Sequence, residues 1–252
     1  MHPYLIHSGH ILLPTFGLLA AIGLMAALGL SERAAALVGL DPEQMWNAGL
    51  FAIVAAFVLS RALLVAQNWH TFLNFPVLLL AVPSLTPSGV LMAGAATLLY
   101  LRWRRVPILR ALDAWGAPGV LLWAALALGH FFEGSDAGLP TRFFWGLRSA
   151  GEVSPHHPVS LYAAGIALAL TLWLFRRLKQ SPAAGQTAAL ALLSTGVSQF
   201  LLSFLREPGV ESPLGLDALQ WVALAMIASG GGMVLLPGAT SFLSRADDER
   251  PS

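Results

Sequence analysis

Six runs of close to twenty residues, at 11–30, 46–66, 114–132, 158–175, 186–205 and 218–236, are nearly free of charge and separated by polar or basic connections. A helix needs about 20 apolar residues to cross the hydrocarbon core of a bilayer. Length alone therefore makes each run a candidate span. Composition agrees: 56% of the 252 residues are hydrophobic and 11% are charged, whereas soluble domains carry about one quarter charged residues. The chain has too little polar surface to cover itself in water.

A seventh span is expected in the charge-free stretch 62–101. Prolines 76, 83 and 87 interrupt any continuous helix there, because proline lacks the N–H of the helix ladder. The expectation is a short, partly inserted segment at 76–84 followed by a span over 88–100. The predicted fold class is all-α: a polytopic membrane protein with seven transmembrane helices. The opening MHPYLIHSGHILLPTFG lacks the basic n-region of a secretory signal, so it reads as a retained span, a cleaved signal being the alternative.

Orientation follows from the basic residues in alternate connections. With the amino terminus outside, Arg33, Arg102, Arg104, Arg105, Arg110, Arg176, Arg177, Lys179, Arg245 and Arg250 fall on the cytoplasmic side. The other side receives Arg61, Arg142, Arg148 and Arg206. Ten against four predicts an external amino terminus and a cytoplasmic carboxyl terminus. One transmembrane domain is expected over 1–238, with a polar cytoplasmic tail over 239–252. The longest external connection, 133–157, directs attention to the outer face. A net charge of +1 implies no nucleic-acid partner, and the absence of cysteine removes disulfides, thiolate metal sites and cysteine nucleophiles.

Ionisable groups within spans are costly and usually face a cavity or a partner. Arg61, in VLSRALLV, either points inward, where its planar fork suits a phosphate, or snorkels to the outer interface. His130, Glu133 and Asp136 in GHFFEGSD are spaced by three and share a face if the helix continues. Such a trio can pair as acid and base, contribute weakly to a metal site, or cap a helix end. In HHPVSLY, residues 156–162, Pro158 suits the first turn of a helix. His157 and Tyr162, five apart, are each expected to need a separate partner. Gly89, Ala93 and Gly94, and Gly230 to Gly232, are small residues of the kind that let membrane helices approach closely.

The order of these pieces carries a resemblance. HPYLIHSGH, LPTFGLLAAIG, SRALLVAQNW, ALDAWGAPG, GHFFEG, GLPT, WGL, HHPVSLYAA, FLREPG and LGLDALQWVALAMI follow one another as the corresponding pieces do in the prolipoprotein diacylglyceryl transferase family, which the chain resembles over nearly its whole length. That family comprises seven-span bacterial enzymes that move a diacylglyceryl group from phosphatidylglycerol to a lipobox cysteine. The resemblance implies an inner-membrane location, phospholipid and prolipoprotein peptide as partners, and no metal or cofactor. Arg61, Asp113, Gly134, Pro140, Thr141, Trp145, His157, Tyr162 and Arg206 fit the family pattern.

The departures fall where the family carries polar groups. A histidine and two glycines are replaced by Ser88, Gly89 and Val90, and an arginine and an asparagine by Ala127 and His130. A tyrosine, an arginine and a glutamate are replaced by Thr195, Gln199 and Ser203, and a first-span tyrosine by Phe16. Two missing arginines weaken a phosphate clamp, because bidentate charge-assisted bonds have no substitute in alanine or glutamine. The resemblance thus implies a transferase in which His130, oriented by Glu133, takes the thiol proton or stands in for a cation. Arg61, Arg206, His157, Tyr162, Ser88 and Gln199 would line its lipid site. A lipid-binding or accessory protein that keeps the fold without the chemistry is the competing reading.

Overall fold

The computed structural model describes residues 4–8, 11–75, 85–136, 138–148, 154–180, 182–207 and 215–235. Two strands, β1 (Tyr4–Ser8) and β2 (Ile11–Pro14), form an antiparallel pair in which Ser8 faces Ile11 and Tyr4 faces Pro14. The all-α fold class stands, with this short hairpin preceding the helices. The apolar run from residue 11 begins as a strand, and the first helix, α1 (Thr15–Leu37), starts only after Pro14, whose extended backbone places it at the N-cap.

The helices that follow are α2 (Pro42–Gln67), a six-residue α3 (Trp69–Asn74), α4 (Pro87–Trp103), α5 (Ile108–Glu133), α6 (Val159–Leu178), α7 (Gln186–Ser203) and α8 (Ala218–Leu235). Their ends follow local chemistry. Asp41 caps α2 by accepting the Glu43 N–H at 3.0 Å, with Pro42 in the first turn. Thr86 does the same for α4 through Gly89 N–H at 3.1 Å. At α8, Asp217 and Gln220 exchange reciprocal bonds of 3.0 and 2.7 Å, a capping box. Gly134, at φ 74°, closes α5 in the left-handed conformation that favours glycine.

Helices α1, α2, α5, α6 and α8 are long and apolar enough to cross a membrane. The protein is a multi-pass α-helical membrane protein. Helix α4 has only 17 residues, and α7 carries buried Thr187, Thr195 and Ser203, so neither qualifies on these grounds and the count of seven spans is not reached by them. The expected segment at 76–84 and the tail at 239–252 lie outside the described residues.

Helix α5 is the hub, packing on α1, α6 and α7. Ala111, Ala114, Ala117, Ala124, Ala127 and Gly129 make up more than half of its buried face. Lipid offers no hydrophobic drive between helices, so association depends on close backbone approach. Gly89 and Gly230, from the small-residue clusters noted in the sequence, make such approaches elsewhere. A Cβ at Gly89 would collide with Ser60 of α2, and one at Gly230 would lie 2.7 Å from the backbone nitrogen of Leu193 in α7. Gly94, Gly231 and Gly232 face open space, so only part of the glycine pattern serves packing.

The core divides into three tiers along the bundle. At one end Ala34, Met45, Leu101, Ala111 and Leu178 cluster; Ala117, Ala124, Leu174 and Ala191 fill the middle; Ala127, Val159, Ala163 and Leu202 close the other end. The first tier joins the end of α1, the start of α2, the end of α4, the start of α5 and the end of α6. Arg33, Arg102, Arg110, Arg176 and Arg177 lie on those segments, and the basic residues therefore gather at one end of the bundle. The candidate site lies at the opposite end.

Candidate functional site

At that opposite end, α5, α7 and the chain after each of them surround a cavity of about 390 Å³. Trp123, Ala127, His130, Ser135, Asp136, Gln199, Arg206 and Leu219 are among its walls. Helix α5 supplies His130 on its last turn, and Gly134 then turns the chain so that Ser135 and Asp136 face back. The His130 Nδ1 lies 2.9 Å from Ser135 Oγ and 3.8 Å from Glu133 Oε2. The His130 and Glu133 side chains are each a little under half exposed. On its other side the imidazole packs against Phe16, centroids 4.7 Å apart.

Arg206 reaches the cavity from the segment after α7. Its guanidinium pairs with Asp136 Oδ2 at 3.1 Å, and the same oxygen accepts the Ser160 hydroxyl at 3.0 Å. The backbone holds this geometry: Gly138 pairs with Arg206 as an isolated bridge, and Leu139 N–H donates to Leu205 carbonyl at 2.8 Å. The Arg206 Nε is buried and has no hydrogen-bond partner among the described residues.

Below the polar cavity an apolar one of about 410 Å³ runs between α5, α7 and α8, lined by Trp115, Gly119, Val120, Ala191, Leu192 and Met226 among others. Trp123 and Gln199 line both cavities, so the two are neighbours across a shared wall. Thr195 also lines the apolar cavity, and its hydroxyl is buried without a partner among the described residues. A third apolar hollow of about 390 Å³, between α2, α4 and α5, shares Leu112 and Trp115 with the second. A charged and hydrogen-bonding cavity thus lies beside an apolar one.

The residues singled out in the sequence separate into groups. His130, Gln199 and Arg206 meet at the polar cavity, with Glu133 beside His130. Asp136 does not share a helical face with His130 and Glu133, because α5 ends at Glu133; it turns to Arg206 instead. His157 and Tyr162 are not among the cavity's walls. Nor do they need separate partners: His157 precedes α6 and its Nδ1 lies 3.3 Å from the Tyr162 hydroxyl. That hydroxyl also accepts the Trp145 indole N–H at 2.6 Å, and Phe143 stacks on Trp145 at 4.7 Å. Together they brace the 138–148 loop against α6. Arg61 stands apart on α2, its guanidinium 5.4 Å from the Phe72 ring, and exposed Ser88 opens α4.

Neither Ser135 as a site residue nor the pairing of Asp136 with Arg206 was legible in the sequence, and nor was Trp123. Only the turn at Gly134 brings Ser135 and Asp136 back over His130, and nothing in sequence spacing distinguishes Trp123 from any other tryptophan in a span. Among the described residues no three His, Asp or Glu side chains converge closely enough to hold a metal ion.

Fold and site together define a multi-pass helical membrane protein with an amphipathic crevice at one end of its bundle. The family model described as Prolipoprotein diacylglyceryl transferase matches residues 3–236, and the chain belongs to that family. It is similar to the phosphatidylglycerol–prolipoprotein diacylglyceryl transferase of Parasynechococcus marenigrum, 29% identical over 268 aligned residues that cover 99% of this chain and 96% of the relative. The enzyme of that name from Synechococcus elongatus is 28% identical over 247 residues, covering 90% and 84%. The one from Cupriavidus metallidurans is 40% identical over 122 residues, and there the match spans only 44% of each chain.

Proposed function

We propose that this protein is a diacylglyceryl transferase of lipoprotein maturation, moving the diacylglyceryl group of a phosphoglyceride to a lipobox cysteine thiol. Phosphatidylglycerol is the donor in the names its relatives carry. The observation that carries this reading is the polar cavity of His130, Gln199 and Arg206 adjoining an apolar cavity through Trp123 and Gln199. Arg206 holds the donor phosphate. The thiol sulfur attacks the terminal glyceryl carbon, the bond from that carbon to the phosphate oxygen breaks, and the headgroup phosphate leaves with the electron pair. His130 takes the thiol proton, Glu133 orienting its ring. Stabilising the charge that develops on the leaving phosphate is the larger task, and it falls to Arg206 with help from the Gln199 amide.

The same reading includes seven spans, with α4 and α7 crossing as well, the amino terminus outside and the basic end of the bundle in the cytoplasm of a bacterium. Residues 1–238 form the membrane domain and 239–252 the cytoplasmic tail. A lipid-binding protein without transfer is the second reading, favoured by the Arg206 guanidinium being already engaged by Asp136.

The test is a transfer assay with purified protein, a lipobox peptide and vesicles of mixed bacterial phospholipids. A peptide mass increased by one diacylglyceryl group is expected, and His130→Ala should lower the rate about tenfold or more. No lipidated peptide under conditions where a Parasynechococcus relative turns over would leave the lipid-binding reading.

A further inference from the structure

The chain between the polar cavity and α6 carries an exposed aromatic tip. Phe144 is 94% exposed, and Phe143, Trp145 and Leu147 are exposed beside it. Arg142 and Arg148 bracket these side chains and are exposed as well. Among the described residues neither arginine makes an ion pair or a hydrogen bond. The backbone beneath them is nevertheless pinned. Leu147 and His156 exchange bonds of 3.0 and 2.8 Å, and the Thr141 N–H donates to the Pro155 carbonyl at 2.8 Å. Gly146 permits this close return, since a Cβ there would lie 2.7 Å from Thr141 Cγ2 and 2.9 Å from Pro155 Cβ. Phe143 stacks on Trp145 and Phe144 meets the same indole edge-on, with centroids 4.7 Å apart in both pairs. An ordered loop that leaves four large apolar side chains uncovered marks a contact surface.

The height of the tip and its charge identify the partner. The Trp145 indole N–H donates to the Tyr162 hydroxyl at 2.6 Å, and Tyr162 is the fourth residue of α6, a helix long and apolar enough to cross a membrane. Side chains lean toward the N-terminus of their helix, so this hydroxyl lies at the first turn, where a crossing helix meets the headgroup region. The tip is therefore level with the belt in which Trp and Tyr concentrate. Between Asp136 and α6 the sequence holds two arginines and one acid, Glu152, while Asp136 is engaged by Arg206. We propose that the 142–148 loop is a docking surface for anionic phospholipid. Phe143, Phe144 and Trp145 seat at the edge of the acyl chains, and Arg142 and Arg148 hold headgroup phosphates, for which the planar guanidinium fork is suited. Each basic residue near an anionic membrane surface contributes about fivefold to association. Gly138, at the base of the same segment, pairs with Arg206, so lipids gathered by the loop stand beside the polar cavity.

Because the chain has no cysteine, one probe can report on the tip. Phe144→Cys carrying an NBD fluorophore would be reconstituted in phosphatidylcholine vesicles with a small, equal fraction of nitroxide-bearing phosphatidylglycerol or nitroxide-bearing phosphatidylcholine. The same fluorophore at Leu172→Cys, exposed on α6, reports ordinary lipid contact. Quenching is expected at both positions, with phosphatidylglycerol the stronger quencher by several-fold at Phe144→Cys alone. Arg142→Gln with Arg148→Gln should abolish that preference while quenching by phosphatidylcholine persists, and lysine at both positions should restore most of it. A tip that aqueous iodide quenches and neither nitroxide lipid reaches lies in water, which overturns the proposal. Equal quenching by the two lipids in the unaltered loop overturns it as well. So does shielding from iodide that requires added lipobox peptide, because the tip is then a surface for the acceptor. No part of this readout uses transfer. An inactive protein with the lipid preference keeps the docking surface, and an active one without it keeps the transferase.

Discussion

Asp113, buried near the start of α5, accepts the backbone N–H of Gly185 at 2.6 Å across a sequence separation of 72 residues. Its second oxygen accepts the Ala188 N–H at 2.8 Å. Gly185 is the N-cap of α7, at φ 86°, and has no side chain to satisfy the free donors of the first turn. A carboxylate from another helix does so, and it fixes the height of α7 against α5. That height sets where Thr195 and Gln199 meet the two cavities. Asp113→Ala should lower stability by about 1–3 kcal/mol for each donor left buried, read as a fall in the unfolding temperature in detergent. Asp113→Asn keeps one acceptor and should recover part of the loss; an Ala variant as stable as the parent would remove the cap from the account.

Thr195 lines the apolar cavity next to Gln199. Thr195→Phe puts an aromatic ring into that space while burying no new polar atom. Phospholipid retained through purification should fall several-fold, with folded yield held. Unchanged lipid content would mean that acyl chains do not use this track.

Tyr162 joins Trp145 and His157 through one hydroxyl. Removing it with Tyr162→Phe costs about 0.5–1.5 kcal/mol per neutral hydrogen bond, and the loss should appear as loosening of the 138–148 loop. Faster amide exchange at Gly146 and Leu147 is the expected sign, with the bundle helices unaffected. If transfer falls in this variant while retained lipid does not, the loop positions the acceptor peptide rather than the donor.

The orientation proposed from the basic residues can be checked directly, because the chain has no cysteine of its own. Single cysteines replacing Ser135 and Gln180 sit at opposite ends of the bundle. In intact cells a membrane-impermeant thiol reagent should modify the first and not the second. The reverse pattern would invert the topology, and modification of both from outside would end the spanning arrangement.

Helix positions followed from the sequence closely: runs expected at 186–205 and 218–236 appear as Gln186–Ser203 and Ala218–Leu235. A long uncharged run must bury its backbone polar groups in a helix once lipid surrounds it, and that constraint is local. The error at residues 11–14 has the same origin, since an apolar run does not distinguish strand from helix until a proline intervenes. The site was legible in part. His130, Glu133, Asp136 and Arg206 stand out as ionisable groups near span ends, but which of them pair does not. Asp136 joins Arg206 only because α5 stops at Gly134, and Trp145 meets Tyr162 only because the 138–148 loop folds back on α6. The sequence by itself determined that this chain lives in a membrane and where its helices run, because hydropathy and capping act within a few residues. Tertiary structure alone decided which charges became partners and which cavity they face, because those contacts join segments tens of residues apart, and their pairing is set by how the helices pack.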